Sequence, residues 1–296
     1  MPRIRFGVVG LGNMGSFHLR ALAQLDHAEL TAVCDILPER VALARAAHGG
    51  TGFLSNKDLL ASGLCDAVLI ATPHYSHTTI GIDALKAGLH VMVEKPVSVH
   101  KADCLKLVAA HTRRKQVFAA MLNQRANPQY QAVRTLITSG ALGRVQRIVW
   151  QVTNWYRTEA YYRSSDWRAT WRGEGGGVLM NQAAHQLDLL YWLLGMPARV
   201  TAFCTPGKFH RIEVEDDVTA YLEYANGASG VFITSTGDAP GTNRLEITGD
   251  LGTVLVEHGT VKLTTNEVSA RRMSRMSKEC YAVPPHTTQD LAIEPC

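Results

Sequence analysis

Three glycines, a carboxylate, a lysine and a histidine carry the chemistry legible in this chain. Gly10-Leu11-Gly12-Asn13-Met14-Gly15 follows an apolar run, residues 4–9, and opens a helical pattern. Glycines at this spacing let a strand turn tightly into a helix, let backbone approach a pyrophosphate, and let the helix pack closely on the strand. The amides and dipole of the helix N-terminus then attract phosphate. Asp35 ends the next apolar run and stands where a carboxylate accepts hydrogen bonds from an adenosine ribose. Such a carboxylate repels a 2′-phosphate and favours NAD over NADP. Arg40, five residues on, softens that preference and leaves NADP open.

Lys95 and His185 are the candidates for proton transfer. Lys95 follows the apolar run 90–93, at the carboxyl end of an expected parallel strand, the edge where open α/β sheets bind ligands. Pro96 biases it toward extended backbone. His185 lies in an otherwise apolar helical pattern, residues 178–194, with Asn181 at i−4 and Asp188 at i+3, which would place three polar groups on one helical face. Histidine is the ordinary group for taking a hydroxyl proton near neutral pH.

The elements that must hold these groups follow from periodicity. Apolar runs at 4–9, 30–34, 67–70, 90–93 and 117–121 alternate with helical patterns at 13–25, 38–47, 78–87 and 101–112. Strands alternating with helices of this length imply βαβ units on a parallel sheet, a Rossmann dinucleotide-binding domain over residues 1–122. Beyond it a helix is expected over 128–139. Strand-like alternation then recurs at 145–152, 199–203, 218–224, 230–236, 244–248, 253–256 and 261–264. This reads as an open antiparallel meander with one covered face, interrupted by the long helix 178–194. The fold class is therefore α/β, with an N-terminal Rossmann domain and a C-terminal α+β domain, 123–268, whose sheet is mainly antiparallel.

Composition narrows the function classes. The 296 residues suit about two domains at roughly 150 residues each. With 46% hydrophobic and 19% charged residues the chain is too apolar for disorder. No stretch approaches the roughly 20 apolar residues of a membrane helix. A formal charge of +4, dispersed along the chain, does not point to nucleic acid. Cys34, Cys65, Cys104, Cys204, Cys280 and Cys296 form no Cys-x-x-Cys pair, and the histidines show no ligand spacing with carboxylates or thiols, so no metal is expected. Scattered thiols, and an N-terminus that runs straight into a strand without room for a signal peptide, lead to the expectation of a cytoplasmic protein.

The chain resembles the Gfo/Idh/MocA oxidoreductases to about residue 265. Glu94-Lys95-Pro96 is the most specific element, supported by Ala71-Thr72-Pro73-His74-Tyr75-Ser76-His77 and by Gly175-Gly176-Gly177-Val178-Leu179-Met180-Asn181-Gln182-Ala183-Ala184-His185. The resemblance implies NAD(P)-dependent oxidation or reduction of a sugar, sugar derivative or cyclitol, with Lys95 and His185 catalytic. It implies a cofactor set of Gly10, Gly12, Asn13, Met14, Gly15, Asp35, Arg40, Thr72, Pro73, His74, His77, Glu94 and Lys95. It also implies a homo-oligomer, dimer or tetramer, paired through the exposed face of the second sheet. Two positions depart from the family pattern. Asn181 stands where the family commonly carries Asp, so it is expected to orient substrate while Lys95 and His185 share the acid–base work. His74 stands where Asn is common.

The segment 154–171 is dense in aromatics and arginines, including Trp155, Tyr156, Arg157, Trp167 and Trp171. Aromatics stack on sugar faces and arginines bind hydroxyl, carboxylate or phosphate groups. With Arg125, Asn181 and His185 these residues form the expected substrate set for a glycosyl or acidic sugar; a structural loop or an oligomer contact is the plainer alternative. Some relatives oxidise a sugar transiently to eliminate a glycosidic bond, so a glycoside-cleaving enzyme is a second possibility, and a non-catalytic cofactor-binding protein a third. Residues 269–296, with a basic run at Arg271, Arg272, Arg275 and Lys278, are expected to form a divergent, flexible tail.

Overall fold

The computed structural model describes residues 2–293 and divides into two compact units. The first takes the chain through Leu122 and also Trp171–Gly175; the second takes Asn123–Thr170 and the chain from Gly176. The short return of 171–175 to the first unit was not expected from sequence.

In the first unit β1 (Ile4–Val9), α1 (Asn13–Leu22), β2 (Ala28–Cys34), α2 (Pro38–His48), β3 (Thr51–Phe53), α3 (Asn56–Ala61), β4 (Ala67–Ile70), α4 (Ser76–Lys86), β5 (His90–Val93), α5 (Lys101–Ala110) and β6 (Phe118–Ala120) alternate as the periodicity requires. All six strands are parallel, in the order β3-β2-β1-β4-β5-β6. Short apolar strands such as Ala67-Val68-Leu69-Ile70 are buried throughout because helices cover both faces of a parallel sheet. Strand order reverses between β1 and β4, so the loops after these two strands open at the switch point where such sheets bind ligands. The three-residue β3 and the six-residue α3 are too short to register in periodicity.

The second unit holds α6 (Pro128–Thr138), β7 (Val145–Val152), α7 (Glu159–Tyr162), α8 (Ala184–Leu194), β8 (Arg199–Pro206), β9 (Glu215–Glu223), β10 (Ser229–Ser235), β11 (Asn243–Gly249), β12 (Gly252–Glu257), β13 (Thr260–Asn266), α9 (Ala270–Met276) and β14 (His286–Asp290). The sheet order is β14-β13-β12-β11-β7-β10-β9-β8. The strands alternate as expected, but the connectivity is not a meander: β7 is central and pairs parallel with β10, all other pairs being antiparallel. Alternation reports which face of a strand is covered and not which strand is its neighbour. The long insertion between β7 and β8 provides the crossover that a parallel pair needs. One face packs Ile148, Trp150, Val152, Phe232, Leu245 and Ile247 against α6 and α8 through Val133, Leu189, Leu190 and Leu193.

Two further expectations change. The helix begins at Ala184, not at 178. Residues 269–293 are not a structureless tail, since β14 pairs with β13 from Lys262↔Asp290 to Asn266↔His286. The turn into α9 is tied to Asp250, whose carboxylate accepts from Ser269 Oγ (2.8 Å) and whose carbonyl accepts from the Ala270 amide. The end of that expected tail, Cys296 included, lies outside the described residues.

Candidate functional site

The glycine fingerprint has the geometry its spacing implies. Gly10 adopts φ +91°, and a Cβ there would sit 2.7 Å from the Ala71 backbone carbonyl. A Cβ on Gly15 would lie 1.9 Å from the Gly10 carbonyl oxygen, so helix and loop meet backbone to backbone. Gly12 is the open one: only the Arg40 guanidinium, at 4.0 Å, approaches the space above it. Gly12 also caps α1 without a side chain, and the first turn, with Asn13 and Met14, carries no acidic residue. Across the switch point, Thr72 Oγ1 is buried without a hydrogen-bond partner. A polar atom left this way at the mouth of a glycine loop calls for a ligand, and the residues present fit a dinucleotide.

Asp35 is buried and first of all a backbone anchor. Its Oδ2 accepts from the Leu11 amide at 2.8 Å and its Oδ1 from the Leu37 amide at 3.0 Å, while Arg40 Nη1 lies 3.6 Å away. A carboxylate offers about four acceptor sites, so this use leaves capacity for ribose hydroxyls.

At the carboxyl end of β5, Glu94 is buried between two partners. Oε1 meets His18 Nε2 of α1 at 2.7 Å and Oε2 accepts from the Lys95 amide at 3.0 Å. Burial pushes the Glu94 carboxyl up, but the His18 hydrogen bond and charge, with the Lys95 amide and ammonium, outweigh it and hold the group below the usual glutamate value. Glu94 therefore fixes the backbone that carries Lys95. On the other side His77, fully buried in α4, places Nδ1 2.8 Å from the Pro96 carbonyl and Nε2 2.8 Å from the Thr72 carbonyl, bridging the two loops. Burial lowers the His77 pKa and outweighs the two carbonyls, which favour the charged ring.

His74 and Trp171 hold the returning segment. His74, buried, donates Nδ1–H to the Glu174 carbonyl at 2.8 Å, and the Tyr75 hydroxyl donates to the Trp171 carbonyl at 3.0 Å. Val99 fills the space beneath Gly175, where a Cβ would come within 2.3 Å of it. Trp171 thus belongs to the first unit, whereas the other expected substrate residues belong to the second, and Pro73 is exposed beside His74.

In the second unit Glu215, at the start of β9, explains the late start of α8. Its carboxylate accepts from the Gly177 amide (3.0 Å) and the Leu179 amide (3.1 Å), and its carbonyl accepts from Val178. Gly177 is needed there, since a Cβ would lie 1.9 Å from the Glu215 carbonyl. Asn181 bonds back to Gly177 but Ala183 reaches Val178, five residues back, so the turn is not α-helical. Asn181 precedes the helix, and only His185 and Asp188 share its face. Arg125, expected to bind substrate, makes a two-point ion pair with Asp188 at 2.7 and 2.5 Å, which raises the Arg125 pKa.

The aromatic loop is wired internally by cations. The Arg157 guanidinium lies 5.8 Å from the Trp155 ring and 5.0 Å from that of Tyr161; Arg168 lies 4.5 Å from Tyr161 and 4.6 Å from Trp167. Tyr156 is exposed. Gln182, Glu215 and His18 were not in the expected set; their signal is pairing with residues distant in sequence, which no local pattern displays, whereas Tyr161 and Arg168 belong to the aromatic and arginine-rich segment 154–171 that the sequence singles out. Among the described residues no cluster of three or more His, Cys, Asp or Glu could hold a metal ion, and no helix is long and apolar enough to cross a membrane.

Two family models match the chain: an oxidoreductase family model with NAD-binding Rossmann fold over residues 4–122, and a GFO/IDH/MocA C-terminal domain over residues 130–255. Inositol 2-dehydrogenase of Leifsonia xyli subsp. xyli is 27% identical over 230 residues, covering 76% of this chain and 64% of that protein. The rhizopine catabolism protein MocA of Rhizobium meliloti is 31% identical over 66% of this chain and 58% of its own length. The chain thus spans less than two thirds of these relatives. The WlbA dehydrogenase from Bordetella pertussis, solved in complex with NADH and UDP-GlcNAcA, superposes with a TM-score of 0.82 at 36% identity, over 86% of this chain and 74% of that one.

Proposed function

From the premise that this chain belongs to the Gfo/Idh/MocA oxidoreductase family, we propose that it transfers hydride between a nicotinamide cofactor and a ring carbinol of a sugar, sugar derivative or cyclitol. The bound dinucleotide would supply the hydride acceptor or donor at its nicotinamide C4. The chain's own part is to bind, orient and move a proton. Gly10, Gly12, Gly15, Asp35 and Thr72 would hold the cofactor. Lys95 and His185 would take and return the hydroxyl proton, and Asn181 would orient the hydroxyl. NAD fits Asp35 better than NADP, with Arg40 permitting some use of the phosphorylated form.

The observation that carries the proposal is the fixing of Lys95. A lysine at a strand end is ordinarily a solvated surface cation. Here its backbone is held by Glu94 before it, and the Pro96 carbonyl is held by His77 after it, a degree of restraint that serves a group needing one position. The arginine–aromatic loop supports a glycosyl or acidic sugar as substrate. Assembly into a dimer or tetramer belongs to the same proposal and is tested by light scattering.

The deciding experiment is an NADH-formation screen over sugars, cyclitols, glycosides, uronic acids and UDP-GlcNAcA, with Lys95→Ala as control. Stoichiometric NADH with one class, lost in Lys95→Ala, is expected. Aglycone release with no net NADH would replace the dehydrogenase by a glycoside-cleaving enzyme. NADH binding with no turnover of any compound would leave a cofactor-binding protein.

A further inference from the structure

Tyr161 is the meeting point of the second unit's polar side chains. Its hydroxyl oxygen lies 2.8 Å from Arg168 Nη1, 3.2 Å from Gln182 Nε2 and 3.4 Å from Asn181 Nδ2. Its ring lies between two guanidinium groups, Arg157 at 5.0 Å and Arg168 at 4.5 Å, and meets Tyr162 edge-on at 5.1 Å. Tyr162 is itself buried, with its hydroxyl 2.8 Å from Thr236 Oγ1. The phenol oxygen therefore sits in a fixed place and acts as acceptor: arginine can only donate and takes one lone pair, and the two amide nitrogens facing it share the other.

That matters because of what stands at position 181. A carboxylate presents two equivalent oxygens, so either face of its rotamer offers an acceptor. An amide has one acceptor end and one donor end, and a half-turn about its last bond exchanges them. An asparagine that must accept a hydrogen bond from a substrate hydroxyl needs a neighbour that selects one of the two orientations. With Nδ2 directed at Tyr161, Oδ1 faces the opposite way.

We infer that Tyr161 is a positioning residue: by accepting Asn181 Nδ2–H it sets the orientation of the Asn181 amide, so that Oδ1 is the end that meets the substrate hydroxyl. Arg168 holds the Tyr161 oxygen in place for this. The inference rests on the proposed role of Asn181 as the residue that orients substrate.

The test is Tyr161→Phe in two backgrounds, with the ring kept for its cation contacts and only the oxygen removed. In the native background, loss of one orienting hydrogen bond is expected to lower kcat/KM for the active substrate about tenfold, while NADH affinity stays within about twofold of the native protein. In the Asn181→Asp background the same change is expected to cost less than about twofold, because a carboxylate needs no choice of end. An equal cost in both backgrounds would mean a merely structural tyrosine and would overturn the inference, as would no cost in the native one. If no substrate is found, the proposed activity fails and the Asn181 side-chain amide still reports. Its NMR signal, assigned by its loss in Asn181→Asp, is expected to shift and to exchange faster in Tyr161→Phe. An unchanged signal would overturn the positioning role irrespective of turnover.

Discussion

Removing the ring nitrogen that faces Glu94 should destabilise the first unit strongly, and the size of the loss can be worked from the pair itself. His18 and Glu94 side chains are each 6% exposed and 2.7 Å apart. In His18→Phe, Glu94 Oε1 loses its partner while remaining buried, and only the Lys95 amide is left on Oε2. Hydrogen bonds to charged groups contribute about 1.5–3 kcal/mol, and stranding one partner of a buried pair costs about 3–5 kcal/mol. The burial that already pushes Glu94 up would then prevail, and protonation of the carboxyl limits the loss to about 3 kcal/mol, roughly a hundredfold in the unfolding constant. The assay is urea denaturation of native protein, His18→Phe, Glu94→Gln and the double variant, followed on the transition that NADH protects, which identifies the dinucleotide-binding unit. A coupling of about 2 kcal/mol is expected, because Glu94→Gln leaves no stranded charge and makes loss of His18 cheaper. Additivity within about 0.5 kcal/mol would refute the reasoning: it would mean that the two groups share a cavity and not an interaction.

Two further outcomes follow from the same unit. Gly10→Ala must place a Cβ 2.7 Å from the Ala71 carbonyl at φ +91°, so NADH affinity by fluorescence titration should fall at least about tenfold; native affinity would show that the loop yields. The His77 pKa is lowered in the fold by burial, so below the ordinary histidine value the unfolded chain binds more protons than the folded one. Stability present above about pH 6.5 should therefore be lost as pH falls toward the folded value, by up to about 1.4 kcal/mol per pH unit. Thermal midpoints of the native protein between about pH 7 and 5 should fall more steeply than those of His77→Gln; parallel slopes would refute it.

How much was legible in the sequence depended on the range of the interaction. The glycine loop, Asp35, and the position and parallel direction of β1, β2, β4 and β5 come from short-range patterns, and the structure has them where the periodicity predicts. The start of α8 does not, because Glu215 lies 38 positions from the Gly177 amide it takes, and helical spacing in residues 178–183 carries no sign of that competitor. The same limit separates His18 from Glu94, 76 positions apart, and hides the pairing of Asp188 with the guanidinium of Arg125, 63 positions away. A residue type announces what a side chain can do, and its partner, brought in by the fold, decides how much of that capacity is already used.

The buried carboxylates make this point most plainly, because each must be satisfied before it can do anything else. Asp35 and Glu94 first hold backbone amides in the first unit. In the second unit the neighbouring Glu215 and Asp216 do the same on opposite sides of one strand end. Glu215 holds the Gly177 and Leu179 amides of the turn that carries Asn181. Asp216, with no exposure, accepts from the amides of Lys208, Phe209 and His210 and from His210 Nδ1 at 2.9 Å. His210 Nε2 lies 2.9 Å from the Arg157 carbonyl. One strand end thus grips Asn181's turn through Glu215 and the Tyr161-bearing loop through Asp216 and His210. The hydrogen bond between Tyr161 and Asn181 is between two segments fixed to the same two residues of β9, which is why two irregular loops can hold side chains in a defined register.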